Sequence, residues 1–201
     1  MLVIIIKGGI LLDKTLKNII SEDLYRYTGQ TDYKSYRRFI IREPPFKFTV
    51  YLRKFQFYSK KENAKLKALW YRLLLRRLRY KFGLWIPNNV KIGRGFYIGH
   101  TGTIVINEKA VIGDNVNISQ GITIGQINSG KKQGCPVICN NVWIGTGAVV
   151  VGKIVINEDV IIAPNAFVNF DVPSHSVVIG NPGQIHYKNN ATEYYIINKV
   201  G

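Results

Sequence analysis

An aliphatic residue recurs at every sixth position from Ile92 to Val168, and the phase slips at only two places. Ile92 and Ile98 set it. It resumes two residues late at Ile106 and runs through Ile112, Ile118 and Ile124, then after an insertion through Ile138, Ile144, Val150, Ile156, Ile162 and Val168. That spacing fits neither the 3.6-residue turn of an amphipathic helix nor the alternation of a strand. Glycine follows the aliphatic residue at Gly93, Gly99, Gly113, Gly125 and Gly145, where a tight corner favours a residue tolerant of positive φ. The pattern predicts a hexapeptide-repeat parallel β-helix, in which three short strands make a coil of about 18 residues and coils stack roughly 4.8 Å apart. The phase slips are where such a rod extrudes chain. The first carries Gly99, His100, Thr101 and Gly102; the second runs from Gln126 to Val137.

Charge is divided unevenly. Residues 1–83 hold 20 Lys or Arg against 6 Asp or Glu, and residues 84–201 hold 8 against 6, within a total of +16. The basicity therefore belongs to the N-terminal segment, which is expected to meet something anionic. The apolar run Met1 to Ile6 is interrupted by Lys7 and is too short to span a bilayer. No signal peptide and no transmembrane helix are expected, hence a cytoplasmic protein. Cys135 and Cys139 are the sole cysteines and have no metal-spaced partners, so two reduced thiols and no metal are expected.

Three organisational units follow: a basic α-helical segment 1–83, a β-helix 84–187 and a polar, aromatic tail 188–201. Within the first, Asp13 to Tyr27 reads as a helix ended by Gly29, and Asp32 caps a second through Ile41 that Pro44-Pro45 ends. Phe46 to Tyr58 gives no clear pattern. Glu62 to Phe82 reads as a long helix ended by Gly83, with an apolar stripe of Leu66, Leu69, Trp70, Leu73, Leu74 and Leu78. That stripe packs either on the β-helix or a second subunit, or on anionic lipid with Trp70 and Tyr71 at headgroup depth. No helix-turn-helix, zinc finger or aromatic RNA-binding motif is present, so no nucleic acid is expected.

A histidine at an extruded corner sits exposed on a rigid support. Imidazole titrates near neutrality, so His100 can take a proton from a hydroxyl and return it to a leaving thiolate. His175 and His186 lie among turns beyond the repeat and read as structural. In the second insertion, Lys131 and Lys132 can meet an anionic ligand.

The stretches Ile92-Gly93-Arg94-Gly95, His100-Thr101-Gly102, Val105-Ile106-Asn107-Glu108, Ser119 to Gly125, Val142-Trp143-Ile144-Gly145 and Val178 to Pro182 resemble the left-handed β-helix acyltransferases of the serine acetyltransferase group. The branch they look most like is the one found in capsule and exopolysaccharide gene clusters. Asp23-Leu24-Tyr25-Arg26 extends the likeness toward the N-terminus. The resemblance implies a mainly β, left-handed parallel β-helix with an α-helical N-terminal segment, a homotrimer with sites between subunits, and acetyl-CoA as cosubstrate. His100 matches the general base. Gln126, Gly145, Thr146, Ala163 and Pro164 match backbone positions along the pantetheine groove, with Trp143 beside them.

Three departures bear on the acceptor. Trp85 stands where an aspartate orients the base, Gly99 replaces the acid before the base, and Cys135 matches a histidine that helps hold the amino acid. Trp85 and Cys135 are thus candidate acceptor-binding residues, and Glu108 is the nearest acid left to orient His100. Loss of groups that bind an ammonium points to a capsular or exopolysaccharide sugar as acceptor. Serine, as in cysteine biosynthesis, and a non-catalytic scaffold of the same fold are the alternatives. An acetyl-cysteine route through Cys135 would require a lowered thiol pKa.

Overall fold

The computed structural model describes residues 14–201; the apolar N-terminal run and Asp13 lie outside them. Helix α1 (Lys14–Thr28) ends on Gly29, and α2 (Tyr33–Arg42) is capped by the Asp32 carboxylate, which accepts from the Ser35 amide at 2.9 Å. Helix α3 (Pro44–Tyr58) is the segment that gave no pattern. Pro44-Pro45, read as ending α2, also starts α3, because proline suits the first helical turn. Phe46, Phe48, Val50 and Leu52 are all buried, so α3 is enclosed on most sides and carries no single apolar stripe. After a 3₁₀ turn at Glu62–Ala64, α4 (Lys65–Phe82) ends on Gly83 at φ +67°. A Cβ on Gly83 would lie 2.8 Å from the Gly102 carbonyl oxygen, so conformation and close approach both require glycine here.

Among the described residues, strands β1 to β15 form three sheets. Sheet I holds β1 (Leu84–Trp85), β4 (Ile104–Ile106), β7 (Thr123–Gly125), β10 (Val149–Val151) and β13 (Phe167–Val168). Sheet II holds β2 (Lys91–Ile92), β5 (Val111–Ile112), β8 (Val137–Ile138) and β11 (Val155–Ile156). Sheet III holds β3 (Tyr97–Ile98), β6 (Asn117–Ile118), β9 (Val142–Ile144), β12 (Val160–Ile162), β14 (Ser176–Ile179) and β15 (Gln184–Tyr187).

Parallel pairing places the six-residue period in register. Ile106, Ile124, Val150 and Val168 stack in sheet I, Ile92, Ile112, Ile138 and Ile156 in sheet II, and Ile98, Ile118, Ile144, Ile162 and Val178 in sheet III. Each buried Ile or Val contributes roughly 1.5–3 kcal/mol. Val172 opposite Ile156 and Val178 opposite Ile162 carry the ladder past Val168, where the sequence period is lost, because the corner between Val168 and Val172 is two residues shorter than the regular one.

Open β-helix ends would expose apolar layers and unpaired strands. Phe48, Leu52 and Leu75 close the first coil within the same apolar core, and the antiparallel pair β14–β15 closes the last. Asp23 and Arg53 join helices to coil. Arg53 forks onto Asp23 at 2.9 and 3.2 Å and donates to the Ile92 carbonyl at 2.7 Å, while Asp23 accepts from the Phe96 amide at 2.9 Å.

The stripe expected on α4 is turned the other way. Ala68 and Leu75 are buried, with Tyr71, Leu74, Leu78 and Phe82 half-buried, whereas Leu66, Leu69, Trp70 and Leu73 are exposed.

The segment 188–201 is not a free tail. It runs back across sheet III, where Asp159 accepts from the Ala191 and Thr192 amides and the Thr192 hydroxyl at 3.0, 2.9 and 2.7 Å. Farther down, Asn117 donates to the Tyr195 carbonyl, Arg26 to that of Ile197, and Asn115 exchanges two bonds with Val200. His175, read as structural, hydrogen-bonds Asp159 at 2.8 Å, and His186 lies in β15 opposite Val177. Burial opposes ionisation of Asp159, but the bonds from Thr192, His175 and Ala191 outweigh it and hold this carboxyl below the usual range. A depressed folded pKa gives stability that is present above the unfolded value of 3.8 and lost as pH falls through the lower folded value. The protection of amides 191–196 against exchange, relative to a free peptide at the same pH, should therefore fall in acid below about pH 4, and Asp159→Asn should show little protection already at pH 7.

Candidate active site

The rod has three edges, and the expected site residues fall on two of them. Chain passing from sheet III to sheet I forms one row of corners: 99–103, 119–122, 145–148 and 163–166. This row brings together His100, Gly145, Thr146, Ala163 and Pro164, spread over three coil rises, or about 14 Å. His100, Thr146 and Pro164 are exposed. The corners are tied to one another: Gly102 N donates to Phe82 O, Gly147 N to Gln120 O, and Asn165 N to Thr146 O at 2.8–3.1 Å. A Cβ on Gly145 would lie 2.7 Å from both the Pro164 nitrogen and the Trp143 ring. The glycine thus lets Trp143 lie flush over the corner. On its other side the Trp143 ring meets Tyr195, with centroids 4.9 Å apart, so the C-terminal segment borders this row.

The edge between sheets I and II carries Glu108, Gln126 and Cys135. Glu108 lies beyond the far end of β4 from His100, roughly 13 Å away along an extended strand, so within one chain it does not orient the imidazole. Among the described residues the His100 ring has no hydrogen-bond or ion-pair partner. The Gln126 amide is engaged by Asn107 and Asn128. The long insertion folds as a small hairpin, with Ile127 and Gly134 exchanging two 3.0 Å bonds and the Lys132 ammonium donating to the Asn169 carbonyl. Lys131 is exposed. Cys135 and Cys139 are free and half-buried, and burial pushes both thiols up. That is the reverse of what an acetyl-cysteine route needs.

Trp85 stands in β1 between the two edges, half exposed, edge-on to Tyr80 and in register with Val105. Gln120 packs against Gly102, and its side-chain oxygen is buried without a partner among the described residues. Such orphans are rare enough to mark a place where a ligand donor would be satisfied. Its position in Ser119-Gln120-Gly121, one coil above His100, was the available signal. Among the described residues no group of three His, Cys, Asp or Glu could hold a metal ion, and no helix is long and apolar enough to cross a membrane.

No protein-family model matches the chain. It is 40% identical over 119 residues to a serine acetyltransferase of Synechococcus elongatus, covering 58% of this chain and 48% of that one. It is 44% identical over 116 residues to a serine acetyltransferase of Staphylococcus xylosus, covering 57% and 53%. The chain thus spans about half the length of the curated relatives it matches. Among solved structures, serine acetyltransferase of Neisseria gonorrhoeae superposes with a TM-score of 0.69 at 26% identity, covering 88% of this chain and 68% of that one. That of Brucella abortus, in complex with coenzyme A, gives 0.69 at 24%, covering 87% and 67%. The fold is therefore mainly β: the left-handed hexapeptide-repeat β-helix of the serine acetyltransferase type, with an N-terminal helical segment. The capsule and exopolysaccharide reading is corrected, since the relatives at 40–45% identity are named serine acetyltransferases. Missing acidic groups were weak grounds for a sugar acceptor: they say what the site lacks, not what it holds.

Proposed function

We propose that the protein is an acetyl-CoA-dependent O-acetyltransferase acting on the hydroxyl of serine, with His100 as general base. The observation that carries this reading is the row of corners from His100 to Pro164, an exposed imidazole at one end of a line of backbone turns. Acetyl-CoA would lie along the row, its arm against Gly145, Thr146, Ala163 and Pro164. His100 takes the proton of the serine hydroxyl as the oxygen attacks the thioester carbonyl. The tetrahedral intermediate then expels the CoA thiolate, which receives that proton from the imidazolium. Backbone N–H groups at the Thr146 corner or at Gln126 would steady the oxyanion.

The split between two edges favours a site shared by two chains of a homotrimer. One chain's His100 edge would then face its neighbour's edge with Gln126, Cys135, Lys131 and Lys132. Half-exposed Trp85, Val105 and Val149 on sheet I between the two edges would be covered on assembly. Light scattering should give three times the chain mass.

Serine with acetyl-CoA should release free thiol, and a panel of threonine, homoserine and sugars should release less. CoA binding with no release from serine would overturn the reading in favour of a non-catalytic scaffold. Gly99 supplies no carboxylate for the serine ammonium, yet a Cβ there meets nothing closer than 3.7 Å. Gly99→Asp should therefore be accommodated and lower KM for serine by roughly three- to tenfold, leaving KM for acetyl-CoA unchanged.

A further inference from the structure

We infer that the outer face of α4 docks the protein onto an anionic lipid bilayer. Helix α4 has two apolar faces. One, with Ala68 and Leu75, is used inside the molecule. The other runs Leu66, Leu69, Trp70, Leu73 at helical spacing and, past the exposed Arg77, resumes at Tyr80, and these five apolar side chains are left in solvent at 83, 42, 61, 50 and 66% exposure. Successive residues turn by 100°, which places Lys65, Arg72 and Arg76 along one flank of this stripe and Lys67 and Lys81 along the other. All five are exposed, and the helix contains no Asp or Glu.

Charge decides the occupant. A second copy would bring an equally cationic helix against this one with no acid to pair, and like charges across an interface are repelled. A nucleic acid would satisfy the cations but leave four large apolar side chains in water. A bilayer with anionic headgroups satisfies both, taking Leu66, Leu69 and Leu73 below the headgroups, Trp70 at their level, and the Lys and Arg among the phosphates. The stripe is about four turns of helix lying flat, not a span. This docking does not depend on the reaction proposed above.

The full-length protein should float with vesicles containing about 30% phosphatidylserine and not with pure phosphatidylcholine, and binding should weaken as salt rises through 0.15 M, where the Debye length is about 8 Å. Leu66→Ser with Trp70→Ser, both far from the core, should reduce partitioning at least tenfold while leaving the thermal melt and thiol release in solution unchanged. Arg72→Gln with Arg76→Gln should reduce it about tenfold or more and flatten the salt dependence. Equal flotation of these variants and the parent would overturn the inference, since the lipid contact would then lie elsewhere. So would an assembly that the Leu66 and Trp70 changes reduce in mass by light scattering, or tight binding to duplex DNA with none to vesicles.

Discussion

Replacing His100 by Ala should lower turnover of serine and acetyl-CoA by a hundredfold or more while CoA binding changes little. General-base assistance contributes typically 10²–10⁴ in rate, and the imidazole projects from an exposed corner whose backbone is already held by Gly102 and Phe82. Removal of the ring therefore leaves the coil and its row of corners in place. The loss should fall on kcat, since the proton leaves the hydroxyl only as the transition state forms. His100→Gln, which can hydrogen-bond a hydroxyl but cannot accept its proton at neutral pH, should be nearly as inactive as His100→Ala. A variant retaining a tenth of parental turnover would place the base elsewhere and sink the mechanism. Thiol release at saturating acetyl-CoA, with isothermal titration of CoA in parallel, separates chemistry from binding.

How much of this was legible in the sequence varied with the kind of contact. The β-helix was plain because one aliphatic residue per corner-to-corner strand must point inward, so Ile92 through Val168 announce their own register. The row of corners bearing His100, Gly145, Thr146, Ala163 and Pro164 follows from that register: residues separated by a multiple of one coil lie on one edge. The separation of Glu108 from His100 was also implicit, because three strand residues intervene, but spacing in sequence was read as nearness. Helix α3 was illegible since its burial on most sides erases the periodicity that marks a helix.

The α4 stripe was visible, but its direction was not. Two apolar faces on one helix compete for the core, and the winner is decided by the fit of Ala68 and Leu75 under α3 and β1, which sequence does not encode locally. The C-terminal segment was equally silent. Its anchors are long-range pairs such as Asp159 with Thr192 and Asn115 with Val200, 33 and 85 residues apart. Acceptor choice was misjudged for a related reason: the sequence shows which acidic groups are absent, and an absence does not name a ligand.

Asp23→Ala should be the most destabilising single change in the helical segment, by about 3–5 kcal/mol. The carboxylate is fully buried, its partner Arg53 is 3% exposed, and between them they hold α1, α3 and the first coil. Without Asp23 the guanidinium keeps its bonds to the Ile92 and Gly93 carbonyls but loses its counter-charge, and the Phe96 amide loses its acceptor. An unpaired buried cation is the costly outcome; the pair itself adds little over an apolar replacement of like volume. The double change Asp23→Leu with Arg53→Met should therefore recover part of the loss, the remainder being the Phe96 amide and the Ile92 and Gly93 carbonyls left unsatisfied. Against a total stability of about 5–15 kcal/mol the single variant shifts a urea midpoint visibly. Trp85, in β1 edge-on to Tyr80 of α4, makes indole fluorescence sensitive to the helix-to-coil junction, and far-ultraviolet dichroism at helix wavelengths reports the segment itself. A single variant within 1 kcal/mol of the parent would show that Asp23-Leu24-Tyr25-Arg26 does not fasten the helices to the β-helix. A double variant no better than the single one would show that the packing around the pair, and not the stranded charge, sets the cost.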